Sequence, residues 1–153
     1  MILNKQVGVF LNLVHFRFKQ YLSAIFAKHG YDLTPEQFLV LDTLWDDGVL
    51  SQQELADILK KDKNSVTKLI DALERKRLVE RIPDKIDRRL NLIHITELAK
   101  SMKDNITDIA LDCTNQIIKD IPEEDLNVFV SVLNKMAENM SSSDNNCGDG
   151  KAL

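Results

Sequence analysis

Glycine, proline and cysteine are scarce in this sequence of 153 residues. Its five glycines leave the long stretch 49–147 without any, and there are only three prolines, which argues against a turn-rich β sandwich or barrel. Two cysteines, Cys113 and Cys147, are too few for a disulfide framework and indicate a reducing compartment. The most apolar early stretch, 7–16, is too short to span a bilayer. We therefore expect a soluble, cytoplasmic and mostly helical protein with no membrane partner.

The charge is spread unevenly along the chain. The formal net charge is −4, but residues 51–100 hold twelve of the twenty lysines and arginines and carry a net +3. Affinity for DNA comes mostly from neutralising phosphates, so an acidic total disfavours a nucleic-acid partner, whereas a local basic region permits one. An ordinary solvated surface would show the same excess. Charge alone does not decide between these alternatives.

Apolar residues recur at intervals of three and four along most of the chain, which predicts six helices. Their expected bounds are 5–29, 35–48, 52–59, 63–76, 97–119 and 122–140. Capping boxes starting at Thr34 and Ser51 open the second and third helices. The first helix is apolar on more than one side, so it needs a second packing partner besides its own domain, and we expect another subunit there.

The apolar period changes after the fourth helix. Segments 78–82 and 89–95 read as short strands, joined by the charged turn 83–88. Helix, short turn, helix and then a two-stranded ribbon with a basic tip is the order of a winged helix-turn-helix. The predicted fold is therefore mainly α with a small β-hairpin wing.

The outer face of the fourth helix carries polar side chains suited to base recognition. An α-helix fits the major groove, and donors in its first turns can reach base edges. The alternative is that these residues are only the hydrated face of a surface helix. The candidate major-groove residues are Lys63, Asn64, Ser65, Thr67 and Lys68. The candidate phosphate contacts of the same domain are Ser51, Gln52 and Arg77.

The turn of the ribbon holds three cations, Lys85, Arg88 and Arg89, beside Asp87. A guanidinium suits the minor groove, where narrow A·T-rich stretches concentrate negative potential. Asp87 can hold the side chain of Arg89 by a bidentate pair. The alternative is an ordinary surface ion pair, which contributes roughly 0–1 kcal/mol to stability. We predict that these four residues form the DNA-binding wing.

Short motifs run in order through 33–96: Leu-Thr-Pro-Glu-Gln, Gln-Glu-Leu-Ala, Ser-Val-Thr-Lys-Leu-Ile-Asp-Ala-Leu-Glu, Leu-Val-Glu-Arg, and Asp-Arg-Arg before Ile-Thr. In this order they resemble the MarR (multiple antibiotic resistance regulator) family. The resemblance implies a homodimeric transcriptional regulator whose first, fifth and sixth helices form the dimer interface. It also implies that Asp87 and Arg89 occupy the Asp-x-Arg positions of the wing, with Arg89 in the minor groove.

The resemblance divides the chain into four parts. These are an N-terminal dimerisation helix (1–32), the winged helix-turn-helix (33–96), C-terminal dimerisation helices (97–140) and a flexible tail (141–153). We expect a repressor that binds a pseudo-palindromic operator in double-stranded DNA. The alternative, suggested by the acidic total, is a protein-interaction module that uses a winged helix without DNA. Arg77 stands where the family usually has glycine, so the turn after the fourth helix must be strained or differently shaped.

Members of the MarR family often respond to small aromatic or phenolic ligands in a cleft between their dimer and DNA-binding regions. The candidate lining residues are His15, Phe18, Tyr31 and Trp45, and core packing is the alternative explanation for each. We expect no cofactor and no metal site, because the three histidines are scattered and no set of residues has metal-ligand spacing. No nucleophile–base arrangement is present either, so an enzyme is the least supported class.

Overall fold

The computed structural model describes residues 2–144, with side chains to 141. Residues up to Thr114 form one compact unit and those from Asn115 a second one. None of the helices within 2–144 is long and apolar enough to cross a membrane. The elements are α1 (Leu3–Lys28), α2 (Pro35–Asp47), β1 (Leu50–Ser51), α3 (Gln52–Leu59), α4 (Lys63–Arg75), β2 (Val79–Pro83), β3 (Asn91–Ile95), α5 (Glu97–Ile117) and α6 (Glu123–Asp144).

All six predicted helices are present, and the expected mainly α class with a small β wing is confirmed. Their ends lie within two residues of the expected positions, except at the end of α6. That helix continues through 141–144, which the sequence assigned to a flexible tail. The prediction was wrong there because serine and aspartate, although poor core formers, can still extend an existing helix. The remaining part of the predicted tail, 145–153, lies outside the described residues.

The helix starts of the winged domain are set by side-chain caps, as the sequence predicts. Thr34 Oγ1 accepts a hydrogen bond from the Gln37 backbone N–H at 3.1 Å. Ser51 Oγ accepts from the Glu54 N–H at 3.1 Å, and Glu54 Oε2 accepts in return from the Ser51 N–H at 2.7 Å. Each box satisfies backbone donors that the first turn of a helix leaves unpaired.

The sheet has three antiparallel strands in the order β1-β3-β2, one more than predicted. The added strand β1 pairs Leu50 with Ile93, but two residues are too short to show an alternating pattern in the sequence. The strand predicted from 89 begins only at Asn91. The reason is that the Leu90 N–H donates to the Asp87 carbonyl at 3.0 Å, which keeps Arg89 and Leu90 in the turn.

One hydrophobic core lies beneath the winged domain. It joins α2, α3, α4 and the sheet, and includes Phe26 from α1 and Ile106 from α5. Burial of these side chains holds α4 in place, at roughly 1.5–3 kcal/mol for each large apolar side chain. Its largest fully buried members are Phe26, Leu41, Leu55, Ile70, Leu73, Ile93 and Ile106.

Several residues predicted to be buried are exposed in the single chain. Along α1 only Leu22 and Phe26 of the predicted stripe are buried, whereas the row Val7, Phe10, Leu11, Val14 and Tyr21 is exposed. Other exposed members of predicted stripes are Ile58, Ile117, Phe129 and Val130. Helical periodicity identifies an apolar face but not what covers it. The exposed row of α1 is the face for which a second packing partner is expected.

Candidate nucleic-acid interface

Helix α4 buries one face and presents the other. Val66, Ile70 and Leu73 are fully buried against the core. On the opposite side, Lys63 and Asn64 are exposed in the first turn, with Lys68 one turn further along. The buried face fixes the helix, so its exposed N-terminal donors are held in one place.

Two of the predicted base contacts, Ser65 and Thr67, already have partners inside the protein. The Ser65 hydroxyl donates to Asp62 Oδ2 at 2.6 Å. The Thr67 hydroxyl donates to the Lys63 carbonyl at 2.9 Å and accepts from Gln52 Nε2 at 2.6 Å. Their hydroxyl protons are therefore engaged, and Lys63, Asn64 and Lys68 are the predicted contacts that present exposed donors.

Asp62 is the N-cap of α4, a role that the sequence reading missed. Its carboxylate accepts hydrogen bonds from the Ser65 backbone N–H, at 2.9 Å, and from the Ser65 hydroxyl. These bonds favour the ionised form and hold the pKa of Asp62 below its ordinary value. An aspartate just before an amphipathic helical stretch was the signal that could have found it.

The wing carries the predicted pair of Asp87 and Arg89. Arg89 Nε lies 3.1 Å from Asp87 Oδ1, and its Nη2 lies 3.4 Å from Oδ2. The Arg89 backbone N–H also donates to Asp87 Oδ1 at 3.1 Å. Hydrogen bonds from the Arg89 side chain and backbone lower the pKa of Asp87, so this carboxylate stays charged in moderately acidic solution.

The turn around this pair is ordered by its own backbone. The Asp84 N–H donates to the Leu90 carbonyl at 2.9 Å, and Asp84 Oδ1 accepts from the Ile86 N–H at 3.0 Å. The other two predicted wing cations, Lys85 and Arg88, are exposed on this turn. The wing tip is thus a short, structured loop with its cations facing solvent.

A cleft of about 200 Å³ lies between the start of α3, the start of α4 and the base of the wing turn. It is lined by Ser51 and Gln52, two predicted phosphate contacts, together with Lys63 and Arg89. The Ser51 hydroxyl is occupied as a helix cap, and the Gln52 amide is bonded to Thr67. The two cations are therefore the side chains of this cleft most suited to an anionic ligand.

Comparison with known proteins identifies the domain that carries this cleft. Residues 33–90 match the model described as "MarR family". The chain belongs to this family. It is 29% identical over 90 residues to the HTH-type transcriptional regulator MgrA of Staphylococcus aureus, and this match spans 59% of the present chain and 60% of MgrA.

Solved structures of MarR-type regulators share the fold. A structure of BpsR from Bordetella bronchiseptica, whose DNA binding is regulated by 6-hydroxynicotinic acid, superposes with a TM-score of 0.80 at 23% identity, covering 90% of this chain and 96% of BpsR. The S. aureus MepR–DNA complex has a TM-score of 0.79 at 25% identity, covering 86% of this chain and 96% of MepR. The winged fold seen here is therefore the MarR fold.

Arg77, the third predicted phosphate contact, lies at the other end of α4 from the cleft. The helix has 13 residues, which at ~1.5 Å per residue separates its ends by about 20 Å. Arg77 has φ +60°, the left-handed conformation that the MarR family usually supplies with glycine. Its carbonyl accepts a hydrogen bond from Thr96 Oγ1 at 2.8 Å. The predicted strain at this turn is confirmed.

The candidate ligand-cleft residues occupy different places. Tyr31 lines a pocket beside the end of α1, with Ser23 and Leu33. Trp45 lines another, between the end of α2 and the start of α5, and its Nε1–H is buried without a hydrogen-bond partner. His15 is exposed on α1, and Phe18 is half-buried against the core. Tyr31 and Trp45 therefore line separate pockets within one chain.

Proposed function

We propose that this chain is a sequence-specific DNA-binding transcription regulator that acts as a homodimer. Helix α4 enters the major groove, and the wing enters the adjacent minor groove. The observation that carries the proposal is the cleft lined by both Lys63, at the start of α4, and Arg89, on the wing. One surface thus offers a helix tip with exposed donors and a preoriented guanidinium, which are the two elements that a winged helix uses on a duplex.

Each predicted contact then has a distinct role. Asn64 can pair with adenine, and Lys63 and Lys68 can bind guanine or phosphate. Arg89 enters the minor groove, while Lys85 and Arg88 neutralise phosphates beside it. Ser51 and Gln52 support the cleft and approach the backbone of the DNA, Ser65 and Thr67 hold the shape of the recognition helix, and Arg77 is a peripheral phosphate contact.

The homodimer is supported by the exposed apolar row on α1, which includes Phe10 at 54% and Val14 at 56% exposure. A continuous row of this kind on a single chain indicates a partner surface. Helix α6 likewise exposes Val128, Phe129 and Val130. Two copies joined through these helices would present two winged domains to half-sites about 34–36 Å apart. The MepR–DNA complex, from a relative with the same fold, supports this arrangement.

We expect repression that is relieved by a small aromatic or phenolic effector. The support is the similarity to BpsR, whose DNA binding is regulated by 6-hydroxynicotinic acid. His15, Phe18, Tyr31 and Trp45 remain the candidate lining residues, and Trp45 adds a buried N–H that a ligand acceptor could pair with. Operator binding measured with and without a series of aromatic acids tests this part of the proposal.

The central experiment is selection of bound duplexes from a random pool by the purified protein, followed by Kd measurements on the selected site across a salt series. We expect a pseudo-palindromic site, a dimer mass in solution and a Kd that rises steeply with salt. Asn64→Ala should weaken binding and relax the preference at one position of the site, whereas Lys28→Ala, in the last turn of α1, should leave the Kd within about twofold. A flat salt dependence, or no preference over random duplex, would instead favour a protein-interaction module.

A further inference from the structure

Arg81, on strand β2, joins the wing to the recognition helix. Its Nη2 lies 2.6 Å from Asp71 Oδ1 and 3.4 Å from the Thr67 carbonyl, and its Nη1 lies 3.1 Å from Glu74 Oε1. Positions 67, 71 and 74 are four and three residues apart, so they lie on one face of α4. A single guanidinium from the wing therefore spans two turns of the recognition helix.

The same carboxylate also holds the backbone of the wing. Glu74 Oε2 accepts a hydrogen bond from the Arg81 N–H at 3.3 Å, while its other oxygen binds the guanidinium. The Arg81 side chain is only 19% exposed. A planar guanidinium suits this arrangement, because its donors lie in a fixed fork that an ammonium cannot reproduce.

We propose that Arg81 is a positioning residue for DNA binding, which acts by fixing the direction of the wing and therefore acts through Arg89. This inference rests on the proposed function. Arg81 is not itself a phosphate contact, because its donors are bound to two carboxylates. Arg81, Asp71 and Glu74 together carry a formal charge of −1, so the cluster as a whole offers no attraction to DNA.

The lever arm of the wing explains why the clamp matters. Arg81 pairs with Ile93 across the ribbon, and the turn begins after Pro83. From Arg81 to the middle of the turn is about four residues, or ~13 Å of extended chain. A rotation of about 10° at the clamp would move the tip by ~2 Å, whereas a hydrogen bond tolerates only a few tenths of an ångström. Small looseness at Arg81 would therefore misplace Arg89.

The other side of α4 is held by the bond from Gln52 to Thr67. Thr67 is thus a shared point, since its hydroxyl accepts from α3 and its carbonyl accepts from Arg81. Contacts on both sides fix the recognition helix relative to α3 and to the wing. The clamp sets one angle, that between the helix in the major groove and the ribbon in the minor groove.

A double-mutant cycle on the selected operator distinguishes positioning from direct contact. Arg81→Ala should weaken binding by about tenfold, and Arg89→Ala by at least that much. Because Arg81 acts through Arg89, the double variant should bind no worse than Arg89→Ala, within about threefold. Effects that multiply to about a hundredfold would show that Arg81 contacts the DNA independently and would overturn the proposal.

The acidic partners give a test of opposite sign. Removing a negative charge close to DNA should strengthen binding if charge alone matters. If the clamp positions the wing, Asp71→Asn should weaken binding by several-fold, because it breaks the shortest contact of Arg81. Asp57→Asn, which removes a charge of the same sign from α3, serves as the matched control. Binding by Asp71→Asn that is tighter than the wild type, and matched by Asp57→Asn, would contradict the proposal.

A measurement without DNA keeps the inference separate from the proposed function. Amide hydrogen exchange in the free protein should become faster in the wing, at 79–95, for Arg81→Ala and Arg81→Lys, while amides of α2 keep their protection. Unchanged exchange in the wing would overturn the positioning role even if DNA binding is established. If Arg81→Ala fails to fold, Arg81→Lys and Asp71→Asn provide the same comparison. Faster exchange in the wing without any selected operator would refute the proposed function and leave the clamp in place.

Discussion

The guanidinium of Arg89 is bound to the carboxylate of Asp87, two residues earlier, while its side chain remains 91% exposed. The pair orients the arginine without burying it. An exposed ion pair of this kind contributes little to folding stability, so its main effect is on where the guanidinium points. The Asp87 pKa lies below its ordinary value, so the pairing persists when the solution is mildly acidified.

Arg89→Ala is predicted to weaken operator binding by more than about tenfold while the melting temperature barely moves. The reason is that the side chain touches only Asp87 within the described structure and is exposed. The checks are fluorescence anisotropy on the selected operator and thermal unfolding followed by circular dichroism. Arg88→Ala removes the same charge from the neighbouring position and should cost less affinity. Parallel loss of stability and binding in Arg89→Ala would indicate a structural role.

Asp62→Asn is predicted to change the pH dependence of stability in acid. Since the pKa of Asp62 is lowered in the folded state, its charged form contributes stability above the ordinary carboxyl pKa of about 3.9, and this contribution is lost as the pH falls through the lower folded value. Asparagine also caps helices but does not titrate here. The wild type should therefore be the more stable protein at pH 6, and the difference should shrink below about pH 4.

Melting temperatures of the wild type and Asp62→Asn across this range provide the test. Asp62→Ala is the matched control, because it removes the cap at every pH and should be the least stable of the three at pH 6. The acidic contribution of Asp87 is common to all three proteins and cancels in the comparison. A constant difference between the wild type and Asp62→Asn from pH 6 to 3 would contradict the prediction.

Arg77→Gly is predicted to stabilise the protein by about 0.5–1 kcal/mol. A left-handed non-glycine residue costs roughly 1–2 kcal/mol, and the greater freedom of glycine in the unfolded chain offsets roughly 0.5–1 kcal/mol of the relief. Arg77→Ala keeps the Cβ at φ +60° and should give no such gain. Urea unfolding of the three proteins measures the difference, and equal stability of the glycine and alanine variants would contradict this account.

Local rules made the helices and the wing pair predictable from the sequence. The capping residues at Thr34 and Ser51 and the spacing of Val66, Ile70 and Leu73 depend only on neighbours along the chain. The Asp87–Arg89 pair is separated by two residues, so its geometry was equally accessible. These features form because short-range hydrogen bonds and helical periodicity act within a few residues.

The contacts that join elements could not be predicted in this way. Arg81 reads as one more charged position in a strand, and nothing near it in the sequence indicates that it faces Asp71 and Glu74 of α4. Gln52 was taken for a phosphate contact, whereas its amide binds Thr67, fifteen residues away. Such partners are chosen by how helices and strands pack, which the periodicity of one element does not specify. The exposed row of α1 could be identified as apolar, but its covering could not.

Cys113 is predicted to be unreactive towards thiol reagents in the folded protein. Its side chain lies on the buried face of α5 with 3% exposure, and burial raises the pKa of the thiol above its ordinary value. The reactive thiolate is therefore both scarce and shielded at neutral pH. In a Cys147→Ser background, labelling by a disulfide reagent at pH 7.5 should be slow in buffer and rapid in urea. Rapid labelling of the native protein would show that this part of α5 opens readily, and a lowered melting temperature in Cys113→Ser would confirm the packing role of the sulfur.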